Sequence, residues 1–175
     1  FGILQIDAHC DLRDAYEGFT YSHASIMYNA LKHEQVKKLV QVGIRDYCDA
    51  ELQVIDQSDR RVVTYFNDEI KRAGFTGMTW ADICSRIVEE LPKKVYISFD
   101  IDGLMQTYCP NTGTPVPGGL DYEQAVYLLK AVVESGRTII GFDLVEVAPG
   151  EDDWDAIVGA RLLYKMCNLA LLSQG

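Results

Sequence analysis

A chain of 175 residues is long enough for one domain with a real core, because at this size roughly 70% of the unfolded surface becomes buried. Apolar residues at 48% and charged residues at 24% are ordinary for a globular protein. The 26 acidic against 16 basic side chains give a formal net charge of -10, which argues against nucleic acid and anionic membranes as partners and suits a small cationic one.

The chain opens on an apolar strand-like run, Gly2 to Asp7. It has no initiator Met, and domains rarely begin inside their own core, so a further N-terminal segment is expected before Phe1. Asp7, Asp11 and Arg13 interrupt any stretch of signal-peptide type, and no apolar run approaches the ~20 residues of a membrane span. The segment His23 to Lys38 reads as helical. Strand-like runs rich in Val, Ile, Leu and Phe follow at Leu39 to Ile44, Arg61 to Phe66, Lys94 to Asp102 and Arg137 to Val147. A helix is predicted over Thr79 to Leu91, with Thr79 as cap, Asp82 three residues on and Pro92 beyond its end. A second covers Asp121 to Ser135, with Tyr122, Ala125, Val126, Leu129 and Val133 on one face and Gly136 after it. A third covers Asp153 to Leu172. Strands alternating with helices of this length imply a parallel sheet covered on both faces, in a single domain over residues 1–175. Gly103 to Leu120 is a long irregular stretch with Pro110, Pro115 and Pro117, of the kind usually kept for function. The five cysteines form no close pair and read as reduced thiols of a cytoplasmic protein rather than a disulfide or zinc framework.

Ligands in open parallel sheets bind at the carboxyl ends of the strands, and three strands here end in acid. The sequences are Asp7-Ala8-His9-Cys10-Asp11, Asp100-Ile101-Asp102, and Asp143-Leu144-Val145-Glu146. Period-two alternation brings Asp7, His9 and Asp11 to one side, and likewise Asp100 with Asp102. Like charges so close cannot all stay ionised without cations. Two divalent ions balance four carboxylates, and carboxylate with some imidazole suits Mn²⁺, whereas zinc would bring more His or Cys. A lone Asp-X-Asp is more often a turn or helix cap than a metal site. Its occurrence together with Asp-Ala-His-X-Asp at strand ends favours metal.

These motifs, with Ser98 to Leu104 and Asn111-Thr-Gly-Thr-Pro-Val-Pro-Gly-Gly-Leu120, stand in the order and rough spacing of the ureohydrolase family of arginases and agmatinases, which the chain resembles from Ile3 to about Pro149. The resemblance implies an arginase-like three-layer α/β/α fold, of which this chain is the C-terminal portion. It implies two Mn²⁺ per subunit on Asp7, His9, Asp11, Asp100 and Asp102, and homo-oligomers, trimers or hexamers. It further implies that Glu146 binds the substrate guanidinium and that His23 relays a proton to the leaving amine. A hydroxide bridging the metals would attack the guanidinium carbon, releasing urea and an amine. The chain departs from the family in two places. An upstream Gly-Gly-Asp-His motif, which supplies one more metal-binding His, is absent. Met105-Gln106 stands where Asp-Pro is usual after Gly-Leu. The stretch Leu12 to His23 resembles the agmatinase branch, with Asp14 or Glu17 available to an ammonium group, so agmatine is favoured over arginine. An arginase or another guanidino or formimino hydrolase, a deacetylase-type zinc amidohydrolase and a non-catalytic oligomeric relative are the alternative readings.

Overall fold

The computed structural model describes all residues, Phe1–Gly175. Five parallel strands form one sheet: β1 (Gly2–Ile6), β2 (Lys38–Ile44), β3 (Val62–Phe66), β4 (Lys94–Asp100) and β5 (Thr138–Val145), in the order β3-β2-β1-β4-β5. The helices are α1 (Ile26–Leu31), α2 (Asp49–Asp56), α3 (Asn67–Phe75), α4 (Trp80–Glu89), α5 (Tyr122–Glu134) and α6 (Trp154–Leu172). No helix is long and apolar enough to cross a membrane.

The central strand β1 is buried throughout, as a parallel strand covered on both faces must be. Its two faces feed two apolar clusters. Leu4 and Ile6 join Val40, Val42, Ile97 and Phe99 in the larger one, with α3, α4, α5 and α6. Ile3 joins Leu39, Val62 and Met27 in the smaller one, under α1 and α2. The helix ends follow local chemistry. The Thr79 hydroxyl accepts from the Asp82 amide at the start of α4, and the Asp121 carboxylate accepts from the Glu123 amide at the start of α5, each satisfying an otherwise orphaned amide.

Two expectations need correction. The strands that carry the acidic motifs stop earlier than predicted: β1 ends at Ile6, and β4 ends at Asp100, where a single 3₁₀ turn, Ile101–Gly103, takes over. The helix predicted over His23 to Lys38 is a 3₁₀ turn (His23–Ser25) and then α1, which stops at Leu31. The Arg61 guanidinium explains the stop. It donates to the carbonyls of Leu31 (2.7 Å), His33 (3.0 Å) and Val36 (2.8 Å), holding them out of helical register.

Two glycines fix the upper edge of the sheet. Gly43 has φ +95° at an irregularity in β2 and lies against the Asp7 carbonyl. Gly103 packs the turn after β4 directly on the end of β1: a Cβ there would stand 2.8 Å from the Asp7 nitrogen and 2.9 Å from the Ile6 carbonyl carbon. Backbone atoms cannot retreat as a flexible side chain can, so Gly103→Ala is expected to cost about 1–3 kcal/mol. At roughly 2–4 °C per kcal/mol for a domain of this size, a thermal melt reads the loss. A melting point equal to the parent's would show that the contact has slack.

Candidate metal centre

The acidic motifs converge, but through turns rather than strand alternation. Asp7, the first residue past β1, is 3% exposed. Its Oδ1 accepts from the His9 amide at 2.7 Å and its Oδ2 from Gln5 Nε2 at 2.8 Å. Asp102 lies in the 3₁₀ turn, 1% exposed, and its Oδ1 accepts from the Ala8 amide at 3.0 Å. Asp100 caps that turn by accepting from the Asp102 amide at 2.9 Å. His9 Nδ1 stands 3.1 Å from Asp102 Oδ2 and 3.5 Å from Asp7 Oδ1. Asp7, His9 and Asp102 thus offer ligand atoms that all lie within 4.8 Å of one another. Asp11 sits at φ +54°, an uncommon conformation for a residue with a side chain. Its carbonyl accepts from the Met27 and Tyr28 amides, so the turn that aims Asp11 also starts α1.

Asp7, His9, Asp11 and Asp100 line a cleft of about 510 Å³ together with His23 and Glu146, whereas Asp102 is buried behind it. Glu146 follows β5 at φ +60°, with the Thr112 hydroxyl donating to its carbonyl at 3.1 Å. It is exposed, so the cost of a buried charge is not a reason for a function there. His23 is also exposed, edge-on to Tyr16 at 5.6 Å, and Arg13 lies 5.1 Å over the same Tyr16 ring. Tyr16 and Phe19 close a small exposed turn by mutual backbone hydrogen bonds. Asp14 and Glu17 are exposed and outside the cleft lining, and His33 lies on the surface. Cys10 is fully buried among apolar neighbours.

Three contributors escape the sequence motifs. Glu51, 3% exposed, accepts from the Leu12 and Cys48 amides and lines the cleft. Its signal was a capping box with Cys48 as the unusual cap residue. Asp46 lines the cleft with its Oδ2 3.8 Å from His9 Nε2. Arg45 donates to the carbonyls of Gly43, Asp102, Leu104 and Val116, tying the Gly103–Leu120 loop to the strand ends. Its place just past β2, at the carboxyl edge of a parallel sheet, was its one clue.

The electrostatics are those of a site short of positive charge. Burial, then the neighbouring Asp7 charge, pushes the Asp11 carboxyl up to about 9. Burial, then Asp7 and Asp102, pushes Asp100 to about 10. Burial raises Asp7 to about 6 against its hydrogen bonds. Asp102 goes the other way: burial opposes ionisation, but hydrogen bonds from His9 and the Ala8 amide prevail and hold it below the usual carboxylate range. Burial likewise disfavours a charged His9, yet the Asp102 and Asp7 carboxylates outweigh it and lift His9 to about 10. One imidazolium cannot balance four buried carboxylates. A hard divalent cation would, and an oxygen-rich donor set with one imidazole fits it.

The chain matches the Arginase family model over residues 1–168 and belongs to that family. It is 37% identical to the N(1)-aminopropylagmatine ureohydrolase of Thermus thermophilus over 175 residues, all of this chain and 56% of that protein. It is 32% identical to the agmatinase of Neisseria meningitidis, over 95% of this chain and 50% of that one. Among solved structures, the agmatine ureohydrolase of Thermoplasma volcanium superposes with a TM-score of 0.80 at 27% identity, over 98% of this chain and 55% of that chain. The chain spans about half the length of the curated relatives it matches.

The charge imbalance sets a pH response. Asp11, Asp100 and His9 all have folded pKa values above their ordinary ones. The folded metal-free state therefore binds more protons than the unfolded one, and its stability falls as pH rises. Thermal melts of metal-free protein should drop steadily from pH 5 to pH 9. Asp100→Asn, which cannot ionise, should flatten the slope, and saturating Mn²⁺ should restore stability at the alkaline end. A metal-free melting point that climbs with pH would mean the carboxylates are already balanced.

Proposed function

We propose that this chain forms the larger part of a two-metal ureohydrolase site that cleaves guanidino compounds, with agmatine preferred to arginine. The observation that carries the reading is the cluster of Asp7, His9 and Asp102, whose ligand atoms lie within 4.8 Å of one another, with the buried carboxyls of Asp11 and Asp100 in the adjoining cleft. Asp7, His9, Asp11, Asp100 and Asp102 would hold two Mn²⁺ ions, a hard metal matching a carboxylate-rich set with little nitrogen and no thiolate. Such ions supply Lewis-acid activation of water, lowering its pKa from 15.7 toward about 7 to 9.

The remaining work falls to the chain's own side chains. Glu146 accepts two parallel N–H bonds from the guanidinium, a pairing that fixes orientation as well as adding affinity. The Thr112 bond to its carbonyl holds the backbone in the unusual conformation that turns Glu146 into the cleft. Water adds to the guanidinium carbon, the bond to the alkyl nitrogen breaks, and His23 gives the leaving nitrogen its proton, the kind of transfer for which enzymes most often use an imidazole. Urea and an amine result. The preference for agmatine is supported by relatives named for agmatine and aminopropylagmatine and by the acidic balance of the chain.

Urea release from agmatine and arginine by the Mn²⁺-loaded full-length protein tests this directly, with agmatine expected to be the better substrate. Asp100→Ala and Asp102→Ala should lose bound metal and turnover together. Glu146→Gln should raise KM about 10- to 100-fold, the worth of a charged hydrogen-bond pair. His23→Ala should lower kcat about 100-fold or more while sparing metal content. Full activity in either aspartate variant would overturn the metal assignment.

A further inference from the structure

A row of polar side chains lies directly beneath the carboxylates. Gln5, Gln41 and Thr64 are lateral partners on β1, β2 and β3. They project to the sheet face that carries Ile3, Leu39 and Val62. Both glutamines are 0% exposed. Two buried amides in the centre of a sheet cost several kcal/mol of desolvation unless every group is bonded, and apolar side chains would pack there more cheaply.

Their hydrogen bonds run one way. The Thr64 hydroxyl donates to Gln41 Oε1 at 2.7 Å. Gln41 Nε2 donates to Gln5 Oε1 and to the Cys10 carbonyl, both at 2.7 Å. Gln5 Nε2 donates to Asp7 Oδ2 at 2.8 Å and to the His9 carbonyl at 3.2 Å. Neither amide can be reversed, because each nitrogen faces a backbone carbonyl that can only accept. We infer that Thr64, Gln41 and Gln5 form a positioning relay that presents Asp7, and the whole turn from Asp7 to Asp11, to a bound divalent cation. With the His9 amide on Oδ1, both Asp7 oxygens are oriented before any ion arrives. The relay also holds two carbonyls of the turn that bears His9 and Asp11. This inference rests on reading the cluster as a metal centre.

The test is Mn²⁺ titration of the metal-stripped full-length protein, followed by the electron paramagnetic resonance signal of free Mn²⁺, with a melt of each variant. Gln5→Met keeps the side-chain volume and removes the donor to Asp7; it should weaken Mn²⁺ about 10- to 100-fold, the usual effect of losing a ligand's hydrogen-bond partner. Thr64→Val, at the far end of the row, should weaken it about threefold to tenfold, as for one ordinary hydrogen bond. Ile3→Val trims the same strand and face without touching the relay, and should leave affinity unchanged. Wild-type affinity in a folded Gln5→Met variant overturns the relay, as does an equal loss in Ile3→Val. If Gln5→Met does not fold, wild-type affinity in Thr64→Val overturns it instead. A parent protein that binds no Mn²⁺ overturns the metal centre itself, which is a separate result from a parent that binds and a Gln5→Met variant that binds equally well.

Discussion

Four carboxylates packed where two strand ends meet are the constraint on which the rest of this structure turns. Asp7, Asp11, Asp100 and Asp102 are each at most 8% exposed, and mutual repulsion in such a place is felt at several times its strength in water. The fold does not relieve it with its own cations. Arg45 is close by, yet its guanidinium is committed to four backbone carbonyls. Arg13 is turned toward Glu51 and Tyr16. Positive charge is used to build the walls and withheld from the centre, which leaves only His9 inside. A site assembled this way is kept in tension for something that enters from outside.

The backbone bears much of that tension. The turn after β4 presses on the end of β1 through Gly103, and the β2 irregularity at Gly43 accommodates the Asp7 carbonyl. Asp11 and Glu146, on opposite sides of the cluster in sequence, both adopt positive φ. Strain of this kind persists only where the surroundings over-determine it, and here the surroundings are visible: the Met27 and Tyr28 amides on Asp11, and the Thr112 hydroxyl on Glu146.

Much of this was legible in the sequence, and the failures are instructive. The strand–helix alternation, the cap at Thr79 and the acidic strand ends follow from short-range chemistry, and all appear in the fold. Period-two alternation was the wrong instrument beyond Ile6 and Asp100, because the chain leaves the sheet there and its turns are set by contacts between distant segments. The early end of α1 depends on Arg61, thirty residues away from Leu31 in sequence. Helices α2 and α3 were missed because their apolar signal is thin: Ile70 is the one buried residue of α3, and that of α2 is a glutamate. Gln5, Gln41 and Thr64 carry no motif at all. Only the register of three strands brings them into line.

The buried carboxylates and the residues at the rim of the cleft belong to different kinds of structure. Asp7 and Asp100 stand at the ends of interior strands, whereas Tyr16, His23 and Glu146 occupy segments outside the sheet, at the surface. The small turn closed by Tyr16 and Phe19 can change length or composition without shifting a strand, since exposed loops tolerate insertion where cores do not. The rim of the cleft is therefore open to drift one loop at a time, while the carboxylate cluster beneath it is inherited whole.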